Sequence, residues 1–386
     1  MPRLPDKTCT GCGACAALCP HGAITMKADS EGFLYPETDR ARCTDCGLCE
    51  RRCPVLGAAA EELPAYACMH RDKDVRRLSS SGGVFSACAQ YVLEQGGAVF
   101  GARFDGEFAV MHGCAETPQE AAAFRGSKYV QSGMNDTHAS CRRMLEAGRP
   151  VLFSGLPCQI AGLRAYLKTA YEELYCIDCI CHGVPSPLLW KKYIEYRSAR
   201  AGSAVRSITF RCKDSGWKQY TLVFAFENGA EYRASSGTDP YLRLFLRDCC
   251  LREACYRCAF KKERHVSDLT VGDFWGIEHV CPELDDNTGT SVVFVQSQKG
   301  ARLLDKIKPS LIVKPVSAAQ SIRYNPSLVQ SAPRPALRDS FYADLQQKTL
   351  PYLFKKYAKD PFLLRCARLA KRILKKLLRL PAAFQP

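Results

Sequence analysis

The chain has 386 residues, a hydrophobic fraction of 47% and a net charge of +15, which suits about two or three domains with a sizeable core. No apolar run is long enough to span a bilayer, and none of the usual nucleic-acid motifs is present. Met1-Pro2-Arg3 leads toward Cys9 without the apolar region of a signal peptide, so the expected setting is a reducing cytoplasm.

In that setting the 23 cysteines point to metal or redox chemistry rather than disulfides. Eight of them fall in two runs, Cys9-x2-Cys12-x2-Cys15-x3-Cys19-Pro20 and Cys43-x2-Cys46-x2-Cys49-x3-Cys53-Pro54. Each run matches the bacterial ferredoxin pattern for a 4Fe-4S cluster. A cubane needs four thiolates at its corners, and two-residue gaps let a tight turn aim three of them. The fourth cysteine, before a proline, ligates the other cluster in two-cluster ferredoxins. One cluster is therefore expected on Cys9, Cys12, Cys15 and Cys53, and a second on Cys43, Cys46, Cys49 and Cys19. The small residues Gly11, Gly13, Ala14 and Gly47 leave room for backbone amides to approach sulfur. Zinc knuckles or a disulfide scaffold are the alternatives, but zinc sites rarely repeat this spacing.

Residues 1–57 thus form a two-cluster module, with a turn and short strand at Gly32–Pro36 and a linker from Gly57 to Pro64. Tyr66–His70 reads as a strand. Ser79-Ser80-Ser81-Gly82-Gly83 is a small-residue loop that opens a helix at Val84–Glu94. Free amides at such a helix start favour an anion, although a plain helix cap explains the same residues. Ala98–Phe104 is a strand. A second junction runs from the strand Pro150–Phe153 through Ser154-Gly155-Leu156-Pro157-Cys158-Gln159 into a helix ending at Leu167. Pro157 suits the first helical turn, which puts Cys158 near a helix N-terminus, where a thiolate is stabilised. Leu174–Ile180 is a strand followed by Cys181, and Leu188–Arg200 is a helix. Residues 205–234 read as antiparallel, with Asn228-Gly229 as the hairpin turn. Strands at Asp268–Phe274 and Ser291–Gln296 precede a helix at Lys299–Ile307. The fold class is α+β or α/β behind a ferredoxin-like module. Expected boundaries are 1–57, 64–148, 149–330 and a basic tail, 331–386.

A third cysteine group is scattered. Cys158 and Cys181 each follow a strand, at the same end of a sheet if those strands are parallel, and Cys255-x2-Cys258 is a chelating pair. Together these four suit a third cluster or a zinc site. Cys176, Cys179, Cys249 and Cys250 lie close enough to compete as ligands. Cys68, Cys88, Cys114, Cys141, Cys212, Cys281 and Cys366 read as small buried hydrophobes.

Six stretches in order resemble the coenzyme F-420 hydrogenase/dehydrogenase beta-subunit family over roughly residues 64–330. They are Ser79–Ser86, Gly126–Ser132, Phe153–Gln159, Cys181–Ser186, Cys250–Cys258 and Ser267–Gly276. The resemblance implies an FAD-binding iron–sulfur oxidoreductase, in some members of which electrons pass between a 4Fe-4S cluster, FAD and the deazaflavin; related members reduce other substrates. It implies that Cys158, Cys181, Cys255 and Cys258 hold the third cluster. It also implies that Ser80, Ser81, Gly82, Gly83, Ser127, Lys128, Tyr129 and Gly155 surround FAD. Amides and hydroxyls would suit the pyrophosphate, and Lys128 and Tyr129 the isoalloxazine. The sequence departs from the pattern at Glu253-Ala254 and at Cys179.

The expected function is electron transfer, in either direction, between a one-electron carrier such as ferredoxin or another redox protein and a small-molecule hydride acceptor, through clusters and FAD. A non-catalytic electron-transfer subunit is the alternative. Residues 350–386 carry ten Lys and Arg against only Asp360. From Phe362 to Leu380 apolar residues recur at helical spacing, which suits an amphipathic helix on an anionic membrane face, or equally one docked on the protein's own body or on an acidic redox partner.

Overall fold

The computed structural model describes residues 4–56 and 64–359. The module's own sheet is small: β1 (Ile24–Ala28) pairs antiparallel with β2 (Leu34–Thr38). Short helices at Ala14–Leu18 and Leu48–Arg51 follow the cysteine turns. Both helices start behind glycines with positive φ, Gly13 and Gly47, a conformation that a side chain disfavours.

The body is built on one eight-stranded sheet. Its strands are β3 (Ala65–His70), β4 (Ala98–Phe104), β5 (Val110–Ala115), β6 (Val151–Gly155) and β7 (Leu174–Cys179), then β11 (Leu269–Asp273), β12 (Ser291–Val295) and β13 (Leu311–Val316). The spatial order is β13-β3-β12-β11-β7-β6-β4-β5. Strands β4, β6, β7 and β11 are mutually parallel, while β3 runs the same way beyond the antiparallel β12. All five therefore end at one edge, where ligands bind in open α/β sheets.

Both faces of the sheet are covered, which is why its central strands are continuous apolar runs such as Val151-Leu152-Phe153. Alternate residues serve the two faces. Val99, Leu152 and Ile177 pack with Val84, Val92, Leu303 and Leu304 from the helices Val84–Glu94 and Gln298–Ile307. Phe100, Phe153 and Cys176 pack with Ile160 and Leu163 of the helix Pro157–Leu167. The module's Cys12, Ala14 and Leu18 belong to that second cluster, so the module docks on this face.

The antiparallel region is a separate three-stranded sheet, β10-β9-β8, made of β8 (Val205–Cys212), β9 (Thr221–Phe226) and β10 (Glu231–Ser235). The Asn228-Gly229 turn joins its last two strands, with Gly229 at φ 82°. It packs with the helix Pro187–Ala201 in an aromatic core around Trp190, Tyr193, Phe224 and Tyr241.

The boundary expected at 331 moves. The helix Arg338–Gln347 and the turns to Ala358 belong to the body, because Phe341, Leu345, Leu353 and Tyr357 are buried in the aromatic core. The amphipathic stretch from Phe362, and Cys366, lie outside the described residues.

Arg338 also ties the module down. Its guanidinium pairs with Glu31 and Glu253, and Phe33 is fully buried beside Tyr342. Removing one partner would leave a buried charge uncompensated, at a cost of about 3–5 kcal/mol.

Candidate functional site

Cys53 of the second cysteine run lies beside Cys12 and Cys15 of the first. Burial pushes the Cys12 thiol up to about 12, and the thiols of Cys9 and, from the other run, Cys53 add to it. Cys15 rises for the same reasons, next to Cys12, Cys9 and Cys53. In the other set burial raises Cys49, with Cys46 contributing. Backbone amides reach the sulfurs: Gly11 N–H donates to Cys9 Sγ at 3.4 Å and Ala23 N–H to Cys19 Sγ at 3.3 Å. Cys46 is exposed, so the second set faces solvent.

Parallel β6 and β7 bring Cys158 and Cys181 to the same edge. The segment Glu253–Arg257 carries Cys255 there, and Cys258 follows it. All four line one pocket with Lys261 and Arg252. Burial, and then the thiols of Cys258, Cys181, Cys12 and Cys255, drive Cys158 well above its ordinary value. The helix N-terminus was expected to favour the thiolate; burial among four other thiols outweighs it. Burial likewise raises Cys181 to about 11 and Cys255 to about 12.

The competing cysteines stand elsewhere. Cys250 is fully buried in the aromatic core, with Cys249 beside it, and Cys176 is inside the sheet. Cys179 does not line the pocket.

Among the described residues no three His, Cys, Asp or Glu side chains stand close enough to hold a single metal ion. Four soft thiols suit a zinc ion or an iron–sulfur cluster alike. Buried thiols resist ionising alone, and a coordinating metal core removes their protons outright.

Cys12 is the bridge between the sets. The helix Pro157–Leu167, which carries Cys158 in its first turn, presents Gly162 to it: a Cβ built there would lie 2.9 Å from Cys12 Cβ and 3.1 Å from its Sγ. Only a residue without a side chain permits that approach.

The segments expected around FAD meet in part. Ser80 and Ser127 share a hydroxyl hydrogen bond of 2.9 Å, so two distant loops touch at the strand ends. Ser81 Oγ donates to the Thr290 carbonyl, and the Ser81 carbonyl accepts from Lys213. Gly82 is pressed on the sheet, its N–H donating to Ser291 Oγ at 2.9 Å. Gly83 starts the helix Val84–Glu94 at φ 88°. The Lys128 ammonium donates to the carbonyls of Ala123, Arg125 and Gly126, and burial lowers it to about 7. Tyr129 stacks on Phe245 with ring centroids 4.9 Å apart. Gly155 ends β6 beside Gln159 and His112.

Sequence reading missed three groups. Arg252 is fully buried between the first and third cysteine sets. A relay runs from Gln159 Nε2 to Ser132 Oγ at 2.9 Å and from Ser132 to His112 Nδ1 at 2.9 Å; His112 Nε2 then donates to the Ser154 carbonyl. Lys261 binds the carbonyls of Cys181 and Ser327. The spacing Cys250-Leu251-Arg252 held a signal for the first alone.

Two segments of the chain match known families. Residues 8–56 match the 4Fe-4S dicluster domain. Residues 148–319 match the C terminus of the coenzyme F-420 hydrogenase/dehydrogenase beta subunit. No curated protein matches the chain. Among solved structures, a chain of the xenon-derivatised F-420-reducing NiFe hydrogenase complex from Methanosarcina barkeri aligns over 69% of this chain and 91% of its own, at 17% identity and a TM-score of 0.45. So distant a likeness decides nothing about this chain.

Proposed function

We propose that this chain, which carries a 4Fe-4S dicluster domain ahead of the C-terminal domain found in beta subunits of coenzyme F-420 hydrogenases and dehydrogenases, is an oxidoreductase that moves electrons between a one-electron protein donor and a small hydride acceptor. When bound, 4Fe-4S clusters carry single electrons, and FAD combines two of them into a hydride for the deazaflavin or another small organic substrate.

The chain's own residues set the order. The set with the exposed Cys46 is the entry for a redox protein such as ferredoxin. Cys9, Cys12, Cys15 and Cys53 form the inner station. Cys158, Cys181, Cys255 and Cys258 form the third, at the edge where β6 and β7 end. Ser80 and Ser127 mark the flavin side of that edge. The observation that carries the reading is the convergence of the four scattered cysteines on one pocket, with Cys12 against the helix that carries Cys158 in its first turn.

The test is anaerobic purification, reduction with dithionite, and reoxidation by the deazaflavin and by other hydride acceptors. Turnover by the isolated chain supports the enzyme. The match to a beta subunit favours a second reading, a non-catalytic electron-transfer subunit. Co-purification of another chain, with no turnover without it, supports that one.

A further inference from the structure

Arg252 is 0% exposed, and an arginine stays charged at any accessible pH. Its Nε donates to the Cys9 carbonyl at 2.5 Å, its Nη2 to the Leu34 carbonyl at 2.7 Å and its Nη1 to Gln131 Oε1 at 3.3 Å. The Tyr35 ring lies 4.0 Å from the guanidinium. Every partner is neutral. Among the described residues the other buried arginines, Arg76, Arg197, Arg211 and Arg338, each hold a carboxylate; Arg252 pairs with none. An ion buried without a counter-charge is costly, so the fold holds this one for something the protein's own groups do not supply.

Its position says what. On one side it grips the carbonyl of Cys9, in the first cysteine set. On the other it lines the pocket of Cys158, Cys181, Cys255 and Cys258. A 4Fe-4S core with four thiolates is a net anion and gains a further negative charge on reduction. We propose that Arg252 is the shared counter-charge of the first and third clusters, raising the reduction potential of both. This rests on the cluster reading of the proposed function. The cation acts through space on the clusters and ligates neither, so it is a positioning residue rather than a catalytic one.

The experiment is an EPR-monitored redox titration of the full chain, purified anaerobically, as wild type, Arg252→Met and Arg252→Lys, with iron and sulfide counted in each. In Arg252→Met, two of the three midpoints should fall by about 59 mV or more, a tenfold change in the reduced-to-oxidised ratio for one electron. The midpoint of the cluster on the exposed Cys46 should stay in place, and Arg252→Lys should stay near wild type. Unchanged midpoints at full iron content overturn the proposal and leave Arg252 a carbonyl clamp. If Arg252→Met loses iron, retention by Arg252→Lys supports the charge, and equal loss in both overturns it. A wild type without acid-labile sulfide refutes the cluster reading instead, which keeps the two failures apart.

Discussion

Placing a single methyl at Gly162 tests the junction between module and body. Glycine inside a helix costs about 0.8–1.0 kcal/mol relative to alanine, so Gly162→Ala taken alone should stabilise the helix Pro157–Leu167. The new Cβ, however, would stand 2.9 Å from Cys12 Cβ, 3.1 Å from its Sγ and 3.4 Å from its carbonyl oxygen. Cysteine has a short side chain with nowhere to swing, and as a cluster ligand Cys12 would have less freedom still. Overpacking of this kind costs about 1–3 kcal/mol. The clash therefore wins, by about 1 kcal/mol at the middle of the range, which for a chain of this length lowers a thermal midpoint by roughly 1–2 °C. Gly162→Val adds two more methyls and removes the helix gain, so its loss should be larger. The assay is thermal unfolding of the anaerobic protein, followed by the charge-transfer absorbance of the clusters and by far-UV circular dichroism. A raised midpoint in Gly162→Ala with unchanged cluster absorbance would refute the close approach of Cys12 to this helix.

Three further outcomes follow from the same geometry. Cys255→Ser or Cys258→Ser should remove about a third of the iron, one cluster of three, while leaving the ferredoxin signals, as measured by iron analysis and EPR; iron content equal to wild type would remove both residues from the ligand set. The double variant Ser80→Ala with Ser127→Ala should lower FAD retention several-fold through lost hydroxyl hydrogen bonds of about 0.5–1.5 kcal/mol each, with iron content unchanged, and equal FAD content would dissociate that contact from flavin. The full chain should float with anionic vesicles at low salt, release at high salt and stop floating when residues 361–386 are deleted; equal flotation with and without them would end the membrane reading.

The flavin test uses the serines because the structure changes what a glycine variant would report. A Cβ at Gly82 would meet the Cys68 carbonyl oxygen at 2.3 Å and the Ser291 nitrogen at 2.7 Å. Gly82→Val is therefore a test of folding, whatever the loop binds.

What the sequence made legible was local. The cysteine runs carry a cluster-binding pattern in their spacing, and the strands expected to end at Phe153 and Ile180 end within two residues of that, at Gly155 and Cys179. The shared edge of Cys158 and Cys181 needed only that β6 and β7 be parallel, and they are. What stayed hidden was long-range. Arg252 meets Cys9 across 243 positions and Arg338 meets Glu31 across 307, and one arginine in a basic chain gives no sign of such a partner. His112, Ser132 and Gln159 form a relay only after β5 and the start of the helix at Pro157 come together. Lys128 reads as a free cation in sequence, yet its ammonium closes a turn through three carbonyls. Residues 338–358 read as part of a charged tail because their apolar side chains, Phe341, Leu345, Leu353 and Tyr357, are spaced among basic and polar ones; the aromatic core that receives them is made by segments more than a hundred positions earlier.

The most direct measurement of the central claim is the iron, acid-labile sulfide, zinc and flavin content of the full chain purified without oxygen. Three 4Fe-4S sites require about twelve irons and about twelve sulfides per chain, with one FAD and no zinc. About eight irons would contradict the assignment of Cys158, Cys181, Cys255 and Cys258 to a third cluster, and zinc without sulfide would contradict the iron–sulfur account altogether.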